Sequence, residues 1–508
     1  MPIVTQMSNY LSAVHGAANP NALYMISYGG NDLIWLQIQG GSVAPLPYIT
    51  MQANGLIASI TSLRAAGART IMVLNVYAKA KLVGPGGSLT QPNAVIVNQA
   101  ATYSAQVWSG LKASGVNFIP VDVENALTYA SQNPTRFGFT PTTVLASSPA
   151  CGAVSGLVCT PADLVTPNAE QSYLWSDANH LTTAGQTIES DLMYNMLTAP
   201  SQISLLAEAA MQGGLARAAT IQGQIELSEQ QRGPNGVNTW ISGGVSSLSM
   251  KNAGRFATAT GTPFGGSVGA DYKLPSGVII GAAVTAGGQT QDFSSGGHFN
   301  QVDEALSLYS AYRTGPLWGN AVGSYGLLQD HIARQVPLGI FSDPDRADTT
   351  GQSRALALRG GYDLHLGPFT TGPVVGMVMQ QIRLKGFTET GTTGLTALSY
   401  SSQTRNSGVT QLGWRGSMDM GNWQPFAETE WNHELGGRNR SITAALTSIA
   451  APSYSIAAVP VAEDWATLSA GASYKLNTQT ILRAVASAQV FSPQVFSYGG
   501  GLGVSVGF

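Results

Sequence analysis

The sequence predicts two fold classes in one chain. An α/β domain occupies residues 1–200, and a twelve-stranded antiparallel transmembrane β-barrel occupies 236–508; a helical segment, 201–235, threads the barrel lumen between them. Three observations carry this reading. Apolar strand-like runs alternate with helix-like segments in the first part, which implies a parallel sheet with its working residues at the strand ends. From about residue 238 the hydrophobic period becomes two. Only 10% of the 508 residues are charged, against about 25% in ordinary soluble domains, and glycine is abundant at 60 residues.

In the first part the expected strands are A-L-Y-M-I-S from Ala22, T-I-M-V-L-N-V from Thr70 to Val76, and N-F-I-P-V-D-V from Asn117 to Val123. Helices are expected over Leu56 to Ala66, Ala94 to Ala113, and from Thr183 through Ile188 to Met196. The segment 201–231, opening S-Q-I-S-L-L-A-E-A-A, has a thin apolar face and many small residues. Such a helix is poor in a core and too polar for lipid, and a water-filled lumen suits it. Arg232-Gly233-Pro234 is its stop signal.

In the second part the last strand alternates Leu502, Val504, Val506 and Phe508 with Gly501, Gly503, Ser505 and Gly507. Leu356, Leu358, Tyr362, Leu364 and Leu366 oppose Ala357, Arg359, Gly361, Asp363 and His365 in the same way. This pattern fits a sandwich or a lipid-facing barrel, and the turns decide between them. Tight turns fall at Pro275-Ser276-Gly277, Gly315-Pro316, Gly367-Pro368, Gly421-Asn422 and Asn477-Thr478. Between them long polar loops are expected near 250–264, 290–302, 330–352, 382–408, 435–463 and 492–499. Short turns on one rim and long loops on the other mark an outer-membrane barrel, and eleven connections give an even strand count of twelve.

Net charge is −3, so no electrostatic case exists for a nucleic-acid partner. Cys151 and Cys159 stand eight apart, which is not a metal spacing, and no histidine lies nearby. A small disulfide loop, and with it an oxidising compartment, is favoured over two buried thiols. Met1-Pro2-Ile3-Val4 shows no basic region, apolar stretch or cleavage site of an export signal, which conflicts with that compartment.

Two motifs carry chemistry. Tyr28-Gly29-Gly30-Asn31-Asp32-Leu33 closes the first strand. Alone it reads as a turn, with Gly29 and Gly30 permitting positive φ and Asp32 bonding its own backbone. Far downstream, Trp175-Ser176-Asp177-Ala178-Asn179-His180 sets Asp177 and His180 at D-x-x-H spacing in one loop. Asp177 can then accept from His180 Nδ1–H and leave Nε2 as a base. Of the six histidines only His15 and His180 lie outside the barrel region, and His15 has no carboxylate close in sequence.

The second half, with its helix and terminal Phe508, resembles the translocator of bacterial autotransporters. That resemblance implies a twelve-stranded outer-membrane barrel, a pore-threading helix, and a C-terminal aromatic read by the outer-membrane barrel assembly machinery. The first part resembles the passenger of autotransported GDSL-type esterases, members of the SGNH hydrolases, on Asn19 to Leu33, Asn133 to Phe139, the Cys151–Cys159 segment and Trp175 to Gln186. This resemblance implies a flavodoxin-like α/β passenger at the cell surface of a monomeric chain. It implies an ester or lipid substrate, no metal and no organic cofactor, and a seryl acyl-enzyme mechanism. His180 would be the base, Asp177 its orienter and Asn31 an oxyanion donor, with Gly29, Gly30 and Asp32 as the supporting turn.

The family's G-D-S-L block, which supplies the nucleophile on the first strand, is missing. Gly86-Gly87-Ser88-Leu89 lacks the aspartate and follows G-x-N-D, so Ser88 is a decoy. No G-x-S-x-G elbow occurs in this part either. The missing nucleophile and the missing export signal both belong upstream of residue 1, so the hydrolase domain is expected to be incomplete, without its first strand, and less stable for it. The competing readings are a degenerate passenger acting as a surface adhesin, and a pore function for the barrel.

Overall fold

A computed structural model describes residues 2–82, 94–230, 236–251, 257–437 and 439–508. The stop signal at 232–234 and the Ser88 segment lie outside the described residues.

The N-terminal part is built on three parallel strands in the order β1 (Leu23–Ile26), β2 (Thr70–Leu74), β3 (Ile119–Val121). Helices α1 (Ile3–Ala13), α2 (Gly30–Ile38), α3 (Pro45–Ala65), α4 (Ala94–Ala113), α5 (Val123–Gln132) and α6 (Ala169–Ser172) surround or extend it. Strand β2 is central and carries a continuous buried run, Ile71 to Leu74, as a strand covered on both faces must. The edge strand β1 buries Ile26 but exposes Leu23 and Met25. Four helices were not foreshadowed by periodicity, α1, α2, α5 and α6, and α3 begins eleven residues before the expected Leu56. Its early start is set by Pro45, which sits at the first helical position, where a missing N–H costs nothing.

The C-terminal part closes into a barrel of twelve antiparallel strands: β4 (Val237–Met250), β5 (Phe264–Lys273), β6 (Ile279–Phe293), β7 (Gly297–Thr314), β8 (Leu317–Leu338), β9 (Phe341–Tyr362), β10 (Phe369–Leu384), β11 (Gln403–Met418), β12 (Trp423–Glu434), β13 (Asp464–Lys475), β14 (Thr480–Val490) and β15 (Val495–Gly507). Closure is by β15 against β4, where Val504 faces Ile241 and Phe508 N–H donates to the Val237 carbonyl at 2.8 Å. All five expected tight turns lie between strands. Two expected long loops do not exist as loops. Residues 290–302 and 330–352 are the ends of hairpins, with β8 and β9 paired from Leu317–Tyr362 up to Leu338–Phe341. Above the lipid both strand faces are polar, as with Asp330 and His331, so the period-two hydrophobic contrast disappears although the ladder continues.

The helical segments expected on either side of Pro200 are one helix, α7, Thr183–Gln230. Proline removes the N–H that would serve the carbonyl four residues back, here Met196. Tyr454 supplies the replacement, its hydroxyl donating to the Met196 carbonyl at 2.9 Å. Tyr454 belongs to a small sheet formed by the long loops, in which Leu398–Tyr400, Ser441–Leu446 and Tyr454–Ala457 pair. Arg334 of β8, 1% exposed, locks the same level: Nε and Nη2 hold both oxygens of Glu389 at 2.6 and 2.7 Å, and Nη1 donates to Asn195 of α7 at 2.7 Å.

Below that level α7 fills the lumen and meets a polar wall. Glu208 pairs with Arg405 at 3.1 Å, Glu226 with Arg415 at 3.0 Å, and Glu229 with Arg313 at 2.7 Å. Arg217 pairs with Asp303, and Gln301 donates to the Leu206 carbonyl at 3.1 Å. Buried ion pairs contribute little net stability against an apolar equivalent, but breaking one partner is costly, so they set the register of helix against wall.

The passenger end touches the barrel directly. Phe341, at the β8–β9 tip, packs on Phe137 with ring centroids 5.4 Å apart, and Asp191 accepts from Gly339 N–H at 2.8 Å. Asn117 exchanges two hydrogen bonds with the backbone of Ser455, at 2.9 and 3.0 Å.

Candidate active site

The Gly29–Asp32 turn stands at the end of β1, and the Asp177–His180 segment meets the loop that follows β2. Gly29 stands in the left-handed region, φ 83°, and a Cβ there would lie 2.6 Å from Val76 Cγ2, so both its conformation and its packing require glycine. The chain then enters α2 at Gly30, which makes Asn31 and Asp32 first-turn helix residues. Asn31 is exposed there, at the positive end of the helix dipole. Asp32 does not bond its own backbone as expected. Its carboxylate accepts from the Tyr48 and Tyr103 hydroxyls, each at 3.1 Å, and so ties the turn to α3 and α4.

The loop leaving β2 is held rigidly. Asn75 Nδ2 donates to Asp122 at 2.7 Å, and Glu124 accepts from the N–H groups of Ala78, Lys79 and Ala80 at 3.0, 2.5 and 3.2 Å. Burial pushes the Glu124 carboxyl up, and those three donors pull against it. From this loop Tyr77 packs on Trp175 with centroids 5.9 Å apart, while Val76 lies against Gly29. The loop is therefore the common neighbour of the Gly29–Asp32 turn and the segment carrying Asp177 and His180.

That segment is a tight hairpin. Ser176 N–H donates to the His180 carbonyl at 2.8 Å, and Trp175 and Leu181 form a bridge. Within it His180 Nδ1 stands 2.7 Å from Asp177 Oδ2 and 3.0 Å from Oδ1. The Asp177 carboxylate also accepts from the N–H groups of Gly156, Asn179 and His180 at 2.6, 2.7 and 2.8 Å. Partial burial raises its pKa, but the bonds from His180 and the three N–H groups outweigh that and hold it well below the ordinary carboxylate range. An ionised Asp177 bonded to Nδ1–H leaves Nε2 of His180 able to take a proton, and the imidazole side chain is 45% exposed.

Gly156 comes from the loop closed by the Cys151–Cys159 disulfide, which forms as expected. Cys151 N–H donates to the Ser176 carbonyl at 2.9 Å, so the disulfide loop is stitched to the Asp177–His180 hairpin. A Cβ at Gly156 would lie 3.0 Å from Ser176 Cβ and 3.3 Å from His180 Cβ. Lys81, which no local pattern singles out, reaches Asn179 Oδ1 with its ammonium at 3.1 Å and lies 5.4 Å from the Tyr77 ring centroid. Burial lowers its pKa while Asp177 and Glu124 draw it back up. Among the described residues no serine hydroxyl bonds to His180 Nε2. His15 lies apart, at the end of α1, with φ 51°.

Comparison with known proteins follows the same division. Residues 239–487 match the family model described as the autotransporter beta-domain. The chain is 28% identical over 455 residues to the "Uncharacterized protein in trpE-trpG intergenic region" of Pseudomonas putida, covering 86% of this chain and 73% of that one. It is 27% identical over 480 residues to Esterase EstA of Pseudomonas aeruginosa, covering 92% of this chain and 72% of the relative. The translocator domain of the autotransporter NalP from Neisseria meningitidis superposes with a TM-score of 0.48 at 18% identity, over 60% of this chain and 98% of that one. Residues 239–487 are an autotransporter beta-domain, so the barrel is an outer-membrane translocator with the preceding residues at the cell surface.

Proposed function

We propose that residues 1–200 are a GDSL-type SGNH hydrolase passenger, 201–235 the pore-threading segment, and 236–508 the translocator that presents it. The reaction is hydrolysis of a carboxylic or lipid ester through a seryl acyl-enzyme. His180 takes the proton of the serine nucleophile and returns it to the leaving alcohol. Asp177 holds the imidazole in the tautomer with Nδ1–H and balances the charge that forms on it. Asn31 offers a side-chain N–H to the oxyanion, helped by the α2 dipole. Phe508 is the signal for the barrel assembly machinery, and the mechanism calls on no metal.

The observation that carries this reading is the Asp177–His180 contact at 2.7 Å with the carboxylate fixed by three further N–H donors. No residue of this chain is assigned as nucleophile, which the family pattern sets on a G-D-S-L strand. The test is hydrolysis of a short-chain aryl ester by the chain and by a version extended upstream with that strand, each with His180→Ala as control. Turnover that His180→Ala abolishes supports the assignment. Turnover unchanged by His180→Ala removes it, and inactivity of both versions leaves the non-catalytic surface passenger as the better reading.

A further inference from the structure

The lipid-facing wall of the barrel carries a basic patch on β9 and β10. Along β9 the outward positions run Tyr362, Leu358, Leu356 and then Arg354; along β10 they run Val375, Met377, Met379, Gln381, Arg383, with Lys385 just beyond. The apolar band therefore ends at Arg354, beside Tyr325 of β8, whose ring centroid lies 5.9 Å from the Arg354 guanidinium carbon. Arg354 pairs in register with Gln381 and Gln352 with Arg383, so the two arginines are diagonal neighbours on one face, about 7–8 Å apart. Lys385 follows on the same face, its N–H bonded to the Thr350 carbonyl at 2.9 Å.

All three cations are exposed, and among the described residues none makes an ion pair. The one outward carboxylate on these two strands, Asp348, is higher up and engaged by His331. The β8–β9 tip touches the passenger, so the patch lies on the cell-surface side of the band. Unpaired cations directly above lipid-facing leucines stand at the depth of headgroups, not of bulk water, and guanidinium binds phosphate in a fork.

We propose that Arg354, Arg383 and Lys385 form a binding site for the phosphate groups of the outer-leaflet glycolipid, with its acyl chains lying on Leu356, Leu358 and Met379. The bound lipid is annular and specific by charge, and it occupies the wall independently of any passenger activity.

The test uses the full chain, folded and reconstituted in phosphatidylcholine nanodiscs, with lipid A as the added probe and native mass spectrometry counting bound lipid. Folding of each variant is checked by the heat-dependent gel mobility of the barrel. Arg354→Gln with Arg383→Gln is expected to lower lipid A affinity about tenfold or more, on the order of 1 kcal/mol per cation. Arg354→Lys with Arg383→Lys keeps the charge and most of the affinity. Dephosphorylated lipid A should bind wild type no better than it binds the glutamine variant. The proposal is overturned by equal lipid A affinity in wild type and glutamine variant, or by phosphatidylglycerol binding as tightly as lipid A. Displacement of lipid A by millimolar inorganic phosphate overturns it too, since that marks a free-anion site.

Discussion

The passenger holds a histidine–aspartate pair at hydrogen-bond distance, and one of two such pairs on the barrel, His331 with Asp348, differs from it in what surrounds the carboxylate. His180 and Asp177 are 2.7 Å apart, His331 and Asp348 2.5 Å. Asp177 is 15% exposed and accepts three backbone N–H bonds besides the imidazole. Asp348 is 78% exposed on the outside of the β8–β9 hairpin. The short distance is common to both, so it does not by itself mark a catalytic dyad. Fixation of the carboxylate is the difference, because a free-swinging partner neither sets a tautomer nor keeps its charge when the solvent competes.

Three measurements would break or sharpen that contrast. In an ester-hydrolysing preparation, Asp177→Asn should lower kcat by roughly 10³–10⁴-fold by fixing the wrong tautomer. Asp348→Asn should leave kcat within about twofold; comparable losses from both would erase the distinction. Next in size is the loop that supplies Gly156. Replacing Cys151 and Cys159 by alanine should cost the passenger about 2 kcal/mol in urea unfolding, the entropy of a short closed loop, with the barrel transition unmoved. A passenger equally stable without the bridge would mean that the hydrogen bonds to Ser176 and Asp177 already hold the loop.

The smallest effect is on pH. Asp177 has a folded-state pKa below its unfolded one, so the stability it contributes is complete above the ordinary carboxylate range and is lost as pH falls below about 4. Unfolding of the passenger should therefore come at lower urea at pH 3 than at pH 5, and Asp177→Asn should flatten that difference. An equal pH response in wild type and variant would show that other carboxylates govern it.

How much of this was legible in the sequence depended on whether the cause was local. The three passenger strands, helix α4, the twelve-strand count and the tight turns follow from periodicity and glycine–proline punctuation, whereas α1, α2, α5, α6 and the first half of α3 do not show in it. The upper halves of β7, β8 and β9 did not follow, since residues such as Gln329, Asp330, His331 and Arg334 are polar whichever way they point. The continuity of α7 was hidden because Pro200 reads as a boundary; the donor that heals it, Tyr454, comes from the opposite end of the chain. In the site, D-x-x-H spacing announces its own contact. Gly156 N–H and the Lys81 ammonium do not, since each reaches Asp177 or Asn179 only through the tertiary fold. Asp32 shows the opposite failure: a plausible local bond lost to two tyrosines from other helices.

Helix α7 has a consequence for where the passenger can act. It begins three residues after His180 and runs 48 residues, about 70 Å at 1.5 Å per residue, into a lumen that grips it by ion pairs. A domain on a flexible tether sweeps a hemisphere and meets substrates at a range of heights and angles. A domain on a mast does not. The grip of the lumen on the helix sets the bearing of that domain relative to the membrane plane.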